Sequence, residues 1–233
     1  MWNIQAVKRL NTIKHKVLII GDSHVRNCST ILQDSLNTDY KVSSFVKPRA
    51  QMNEITSTAK EELKSLKKDD LVIIWGGAND ISRNNSKQAL ISLSKFVSDN
   101  NELNIVLINS PHRHHLSSDS CVNQEVIQFN RQLNKTMKLQ SKVKVLELSL
   151  DRNLFIKHGL HLNSNGKKLV SKKLALFIQQ FLIKNHSVPL PIPWKNSCLV
   201  DNNSETIGMN LTTQSSQHRR NCPAQRNPDF LWT

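Results

Sequence analysis

The stretch Lys16-Val17-Leu18-Ile19-Ile20-Gly21-Asp22-Ser23-His24 decides how the chain is read, because four aliphatic residues in a row stop abruptly at a glycine and three polar residues. A continuous rather than alternating apolar run fits a strand covered by helices on both faces, as in a parallel sheet. Four further β-rich runs are read as strands of the same type, at 40–46, 71–75, 105–109 and 143–148, and stretches with helical apolar spacing fill the intervals at 26–36, 52–66, 86–98, 124–138 and 166–184. Short strands alternating with helical patterns predict βαβ units. In the last helical stretch Leu169, Leu174, Ile178 and Phe181 recur at helical spacing with Lys172 and Lys173 opposite, as a helix lying on a sheet requires.

With right-handed crossovers, five such strands give a three-layer α/β/α domain whose parallel sheet takes the flavodoxin-like order 2-1-3-4-5. The pattern assigns residues 16–185 to this domain, 1–15 to an N-terminal extension, and 186–233 to a disordered tail, where Pro189, Pro191 and Pro193 open a stretch rich in Asn, Ser, Thr and Gln. The 233 residues, 38% apolar, suffice for one core of ordinary size. The longest aliphatic runs are far shorter than the ~20 residues of a membrane-spanning helix. The first sixteen residues hold four Lys or Arg and no apolar stretch of leader length, so an intracellular, cytoplasmic location is expected. Cys28, Cys121, Cys198 and Cys222 form no C-x-x-C pair, which leaves reduced thiols, and no metal, as the expectation.

Sites in open α/β sheets form outside the carboxyl ends of the strands. Here those ends read Gly21-Asp22-Ser23-His24, then Lys47-Pro48-Arg49-Ala50, then Gly76-Gly77-Ala78-Asn79-Asp80, then Pro111-His112-Arg113-His114-His115, and finally Asp151 with His158-Gly159-Leu160-His161. A serine directly after a buried strand stands at the rim, with its N–H among the unpaired donors of the following helix. Gly21 is read as permitting a tight turn, and Asp22 as anchoring it through side chain to backbone bonds. Ser23 alone could be an N-cap. Asn79, at the end of the neighbouring strand, could donate to a negative charge developing beside the Ser23 amide. His161, after the last strand and before a turn at 163–166, could take the serine proton.

These blocks resemble the SGNH hydrolases, also called GDSL-type esterases: residues 17–24, Gly77-Ala78-Asn79-Asp80 and Gly159-Leu160-His161-Leu162-Asn163 occur in order within residues 16–184. The resemblance implies a flavodoxin-like fold and acyl-ester hydrolysis without a cofactor, with Ser23 as nucleophile, His161 as base, and Asn79 and the Ser23 amide in the oxyanion hole. The sequence departs from the family twice. Arg49 stands where the family has the glycine whose N–H completes the oxyanion hole, and His158 stands where it has the aspartate that orients the catalytic histidine. A histidine cannot stabilise an imidazolium as a carboxylate does. Asp151 is the alternative orienting carboxylate, and otherwise Ser23 and His161 act as a dyad. More narrowly, residues 76–81, 110–113, 129–134 and 158–163 are similar to esterase-like domains of insect genomes, some of which resemble the esterase domain of LINE-type retrotransposons.

Asp22, His24, His112, Arg113 and His158 complete the rim as candidate substrate contacts, and a rim containing Arg49, Arg113 and several histidines could favour a negatively charged substrate such as a phospholipid. The whole chain carries 32 Lys plus Arg against 18 Asp plus Glu, a net charge of +14, and residues 1–185 hold 28 and 15 of these. Such a balance favours polyanions, either nucleic acid or an anionic membrane surface. A second reading follows: a noncatalytic basic module of a retroelement-derived protein that binds nucleic acid nonspecifically. No recognised nucleic-acid reader is visible, and aromatic residues make up only 5% of the chain, so stacking platforms are sparse.

Overall fold

The three most apolar strand runs become the middle of one parallel sheet. The computed structural model describes residues 13–185. Its strands are β1 (His15–Gly21), β2 (Tyr40–Val46), β3 (Leu71–Trp75), β4 (Asn104–Ile108) and β5 (Val143–Leu146). They pair in the order β2-β1-β3-β4-β5, every neighbour parallel. β3 and β4 are buried at every position and β1 from Val17 onward. The edge strands differ from the expectation of burial on both faces: β2 has no fully buried residue and β5 only Val143. Each has one strand neighbour, so half its rim faces solvent. Of the extension assigned to 1–15, residues 1–12 lie outside the described residues and His15 already begins β1; the tail at 186–233, with Cys198 and Cys222, also lies outside them.

Strand side chains alternate between faces, and each face has its own core. Leu18, Ile20, Val72, Ile74, Ile105 and Leu107 meet α2 (Met52–Leu63), α4 (Ser86–Asp99) and α5 (Cys121–Met137) through Ile55, Leu93 and Phe129. Val17, Ile19, Ile73, Trp75, Val106 and Ile108 meet α1 (Cys28–Ser35) and α6 (Ser164–Asn185) through Leu32, Val170, Leu174 and Ile178. None of the helices in the described residues is long and apolar enough to cross a membrane.

Two glycines carry the strand ends. A Cβ on Gly21 would lie 2.0 Å from the Trp75 carbonyl oxygen and 2.5 Å from Val25. Gly21 is therefore demanded by the close approach of β1 to β3, a constraint distinct from the tight turn read in the sequence. Gly77, at φ 99°, precedes a five-residue helix α3 (Ala78–Ser82) that carries Asn79. After β2, Ala50 N–H donates to the Lys47 carbonyl at 3.2 Å, and Arg49 holds φ 62°. With Pro48 ahead of it, Arg49 occupies the turn position that glycine prefers; a left-handed residue with a side chain costs about 1–2 kcal/mol.

Candidate active site

Ser23 opens a single 3-10 turn, Ser23–Val25, rather than the helix itself; α1 starts only at Cys28, after Asn27 in a left-handed conformation. Asp22, fully buried, is the cap. Its Oδ1 accepts from His24 N–H at 2.9 Å and from His24 Nδ1 at 2.8 Å, and its Oδ2 accepts from Asn79 Nδ2 at 3.2 Å. These bonds fix the Ser23 turn from beneath and leave the Ser23 N–H with no partner among the described residues.

Asp22 is thus an internal support, which corrects its assignment as a substrate contact; His24 supports the turn from within and also forms part of the wall of the cavity around Ser23. His24 is 5% exposed, and its Nε2 faces the Leu160 carbonyl at 3.2 Å. A carbonyl can only accept, so Nε2 donates; Nδ1 faces a carboxylate, so the ring is suited to the doubly protonated form. Burial works against that charge, but the Asp22 charge and hydrogen bond, together with the Leu160 carbonyl, outweigh it and raise the His24 pKa above its usual value. The indole of Trp75 lies alongside, with ring centres 5.6 Å apart, within cation–π range.

The chain after β5 delivers His161. A bridge between Phe155 and Leu162, with Ile156 N–H donating to the His161 carbonyl at 2.9 Å, folds 155–162 into a small hairpin. Asn163 then caps α6: its Oδ1 accepts Gly166 N–H at 2.9 Å, while its Nδ2 donates to Asn153 and Phe155 carbonyls. The turn expected at 163–166 is in fact this cap and first helical turn. The His161 ring stands edge-on to His24, with centres 5.5 Å apart. Partial burial, then the positive charge of His24, with Arg26 and Lys167 adding to it and Asp22 opposing, lowers the His161 pKa below its usual value.

Ser23 and His161 line one cavity of about 230 Å³, with His24, Arg26, Ile156, Leu162 and Lys167 as the remaining walls. No hydrogen bond joins Ser23 to His161 among the described residues. His161 Nδ1 is buried without a hydrogen-bond partner. Asp151, the alternative orienting carboxylate, makes no bond to it: it is exposed and caps the 3-10 turn Arg152–Leu154. His158, expected as a substrate contact, is exposed on the hairpin turn and does not line the cavity shared by Ser23 and His161.

The other candidates divide between two places. Asn79 Nδ2 reaches the site but donates to Asp22 Oδ2 at 3.2 Å and to the Ala50 carbonyl at 3.0 Å, which uses both of its protons in this state. Arg49 is exposed at the turn after β2. Arg113 turns inward: Nη2 donates to the Ala78 carbonyl at 3.1 Å, Nε is buried without a partner, and burial lowers its pKa against the pull of Asp22. His112 lines a separate cavity of about 650 Å³ between α5 and the segment after β5, away from Ser23. Cys28, the nearest thiol in sequence, is buried and its pKa is pushed up to about 11, so it offers no competing thiolate. Among the described residues no group of three His, Cys, Asp or Glu could hold a metal ion.

No family model and no curated protein matches the sequence. Solved structures do resemble this one. A lipolytic protein of the G-D-S-L family from Veillonella parvula superposes with a TM-score of 0.61 at 15% identity, covering 71% of this chain and 98% of that one. A GDSL-like lipase from Bacteroides thetaiotaomicron gives 0.57 at 15% identity over 72% of this chain and 88% of its own. A carbohydrate acetylesterase from Sinorhizobium meliloti gives 0.55 at 14% identity over 72% and 99%. The chain therefore has the α/β fold of the GDSL-type hydrolases, built on the five-stranded parallel sheet described above.

Proposed function

We propose that the protein is a serine hydrolase of short-chain acyl esters that works with a Ser23–His161 dyad in place of a full triad. One observation carries this reading: two residues 138 positions apart line the same small cavity at the carboxyl edge of the sheet. The fold shared with a lipase and a carbohydrate acetylesterase supports the reaction class. In the mechanism, His161 takes the Oγ proton as Ser23 attacks the ester carbonyl, and the same proton passes to the departing alcohol. Water then repeats the sequence on the acyl-serine. The free Ser23 N–H faces the developing oxyanion, and Asn79 joins it on exchanging its 3.2 Å bond to Asp22. A cavity of about 230 Å³ walled by Ile156 and Leu162 suits an acetyl or other short acyl group better than a long lipid chain.

The base must be neutral to act, so its lowered pKa extends activity toward acid. The acid limb of kcat/KM for an aryl acetate is expected to have its midpoint below 6.5, the ordinary histidine value. A fluorophosphonate probe should label Ser23 with that same pH dependence. Absence of labelling across the range, in folded protein, overturns the dyad.

A second reading rests on the charges. Of the lysines and arginines among the described residues, only Lys14, Lys64 and Lys142 form ion pairs with carboxylates, so most of the cationic surface is uncompensated. A noncatalytic, polyanion-binding module of retroelement origin would use it this way. Single-stranded RNA binding should then weaken steeply between about 50 and about 200 mM salt; binding that is absent or insensitive to salt removes this reading.

A further inference from the structure

The walls of the Ser23 cavity include two cations that the rim sequence did not single out. Arg26 follows Ser23 by three residues at the exit of the 3-10 turn, and Lys167 stands in the first turn of α6. Neither forms an ion pair among the described residues. The one carboxylate whose charge acts on His161 is Asp22, and it is buried and bonded to His24 at 2.8 Å. Lys167 is also locally misplaced: the start of a helix favours anions, and α6 has no acidic residue in its first turn. Local rules broken without compensation inside a fold cluster at functional sites. Arg113, expected to select anions at the rim, is not among the residues that wall this cavity, and its Nη2 donates to the Ala78 carbonyl.

We propose that Arg26 and Lys167 form an anion subsite beside Ser23, so that the preferred substrate is an ester bearing a fixed negative charge close to the scissile carbonyl. This deepens the serine-hydrolase reading and rests on it for the reaction, though not for the binding. The subsite is open enough to be screened by salt. Two partly exposed pairs of this kind amount to about a tenfold preference.

The test pairs esters of similar shape. 4-Nitrophenyl hemiglutarate against 4-nitrophenyl pentanoate places the charge on the acyl side; 4-carboxyphenyl acetate against phenyl acetate places it on the alcohol side. With wild-type protein at about pH 8, where His161 is neutral, the anionic member of one pair should show kcat/KM about tenfold above its neutral partner after correction for intrinsic reactivity. That ratio should fall to near unity in Arg26→Gln/Lys167→Gln and invert in Arg26→Glu/Lys167→Glu. Taking ratios cancels any effect of the substitutions on His161. A ratio unmoved by either double substitution overturns the subsite. A separate arm, titration of 4-carboxyphenyl acetate into Ser23→Ala followed by NMR shifts, reads binding without turnover. Binding weakened about tenfold in the triple variant Ser23→Ala/Arg26→Gln/Lys167→Gln sustains the subsite even if wild-type protein hydrolyses nothing, in which case only the catalytic reading fails. Equal binding by both removes the subsite.

Discussion

Replacing Ser23 by alanine is expected to lower turnover of a short-chain aryl ester by roughly 10²-fold, far less than the loss of about 10⁶-fold that removal of the serine causes in a complete triad. The difference follows from the unpartnered His161 Nδ1. Without a carboxylate to hold the tautomer and stabilise the imidazolium, a serine hydrolase loses about 10⁴-fold in turnover. The nearby His24 charge opposes formation of a second cation still further. What remains for the serine and histidine together is the quotient of those two factors, about 10²-fold. His161→Ala should cost the same, and the double substitution no more than either single one, because the pair acts as a unit. Steady-state kinetics on the four proteins checks this. A loss in Ser23→Ala below about threefold would show that turnover, if any, comes from elsewhere, whereas one near 10⁶-fold would mean that some group orients His161 in the working enzyme.

How far the residues could be read in sequence depended on how local their roles are. The sheet was legible because continuous apolar runs such as 71–75 coincide with strands buried on both faces, and the strand order followed from chirality and the repeated βα alternation. The edge strands were less legible, since Lys41, Ser43 and Ser44 interrupt the run of β2 and none of its positions is buried. Ser23, Asn79 and His161 could be singled out because each directly follows a strand or precedes a helix, where position alone aims a side chain at the rim. Arg26 and Lys167 could not, because their meeting across 141 residues depends on how α6 returns against α1. Asp151 misled for the reverse reason: its place after β5 suggested a partner for His161, but it caps the turn Arg152–Leu154 and stays exposed. The sharpest misreading was of His24. A polar residue beside a serine at a rim reads as a substrate contact, whereas here its ring bonds to Asp22 and to the Leu160 carbonyl and ties the Ser23 turn to the loop that carries His161.

The Asp22 to His24 pair carries the second large effect, on stability. Asp22 is fully buried, and its two oxygens hold the His24 ring, the His24 amide and the Asn79 side chain. Asp22→Asn keeps the shape but leaves the imidazolium without its counter-charge and turns an amide N–H toward another donor. Breaking a buried pair from one side costs about 3–5 kcal/mol, and at the lower end this is a fall in Tm on the order of 10 °C for a domain of this size. The pH dependence fixes the cause. A histidine whose folded-state pKa is raised holds its proton more tightly folded than unfolded, so its stabilisation is complete below about 6.5 and fades as pH climbs through the folded-state value. The gap between wild type and Asp22→Asn should therefore be widest below that pH and narrow above it. His24→Leu leaves the carboxylate buried instead, and should also destabilise. Since both substitutions remove the same charge interaction, the double variant is expected to be more stable than the sum of the single losses allows, by at least about 1 kcal/mol. Denaturant unfolding of the four proteins at two pH values measures this coupling; simple additivity, with no change between the two pH values, would mean that His24 sits neutral and that the support beneath Ser23 is an ordinary hydrogen bond.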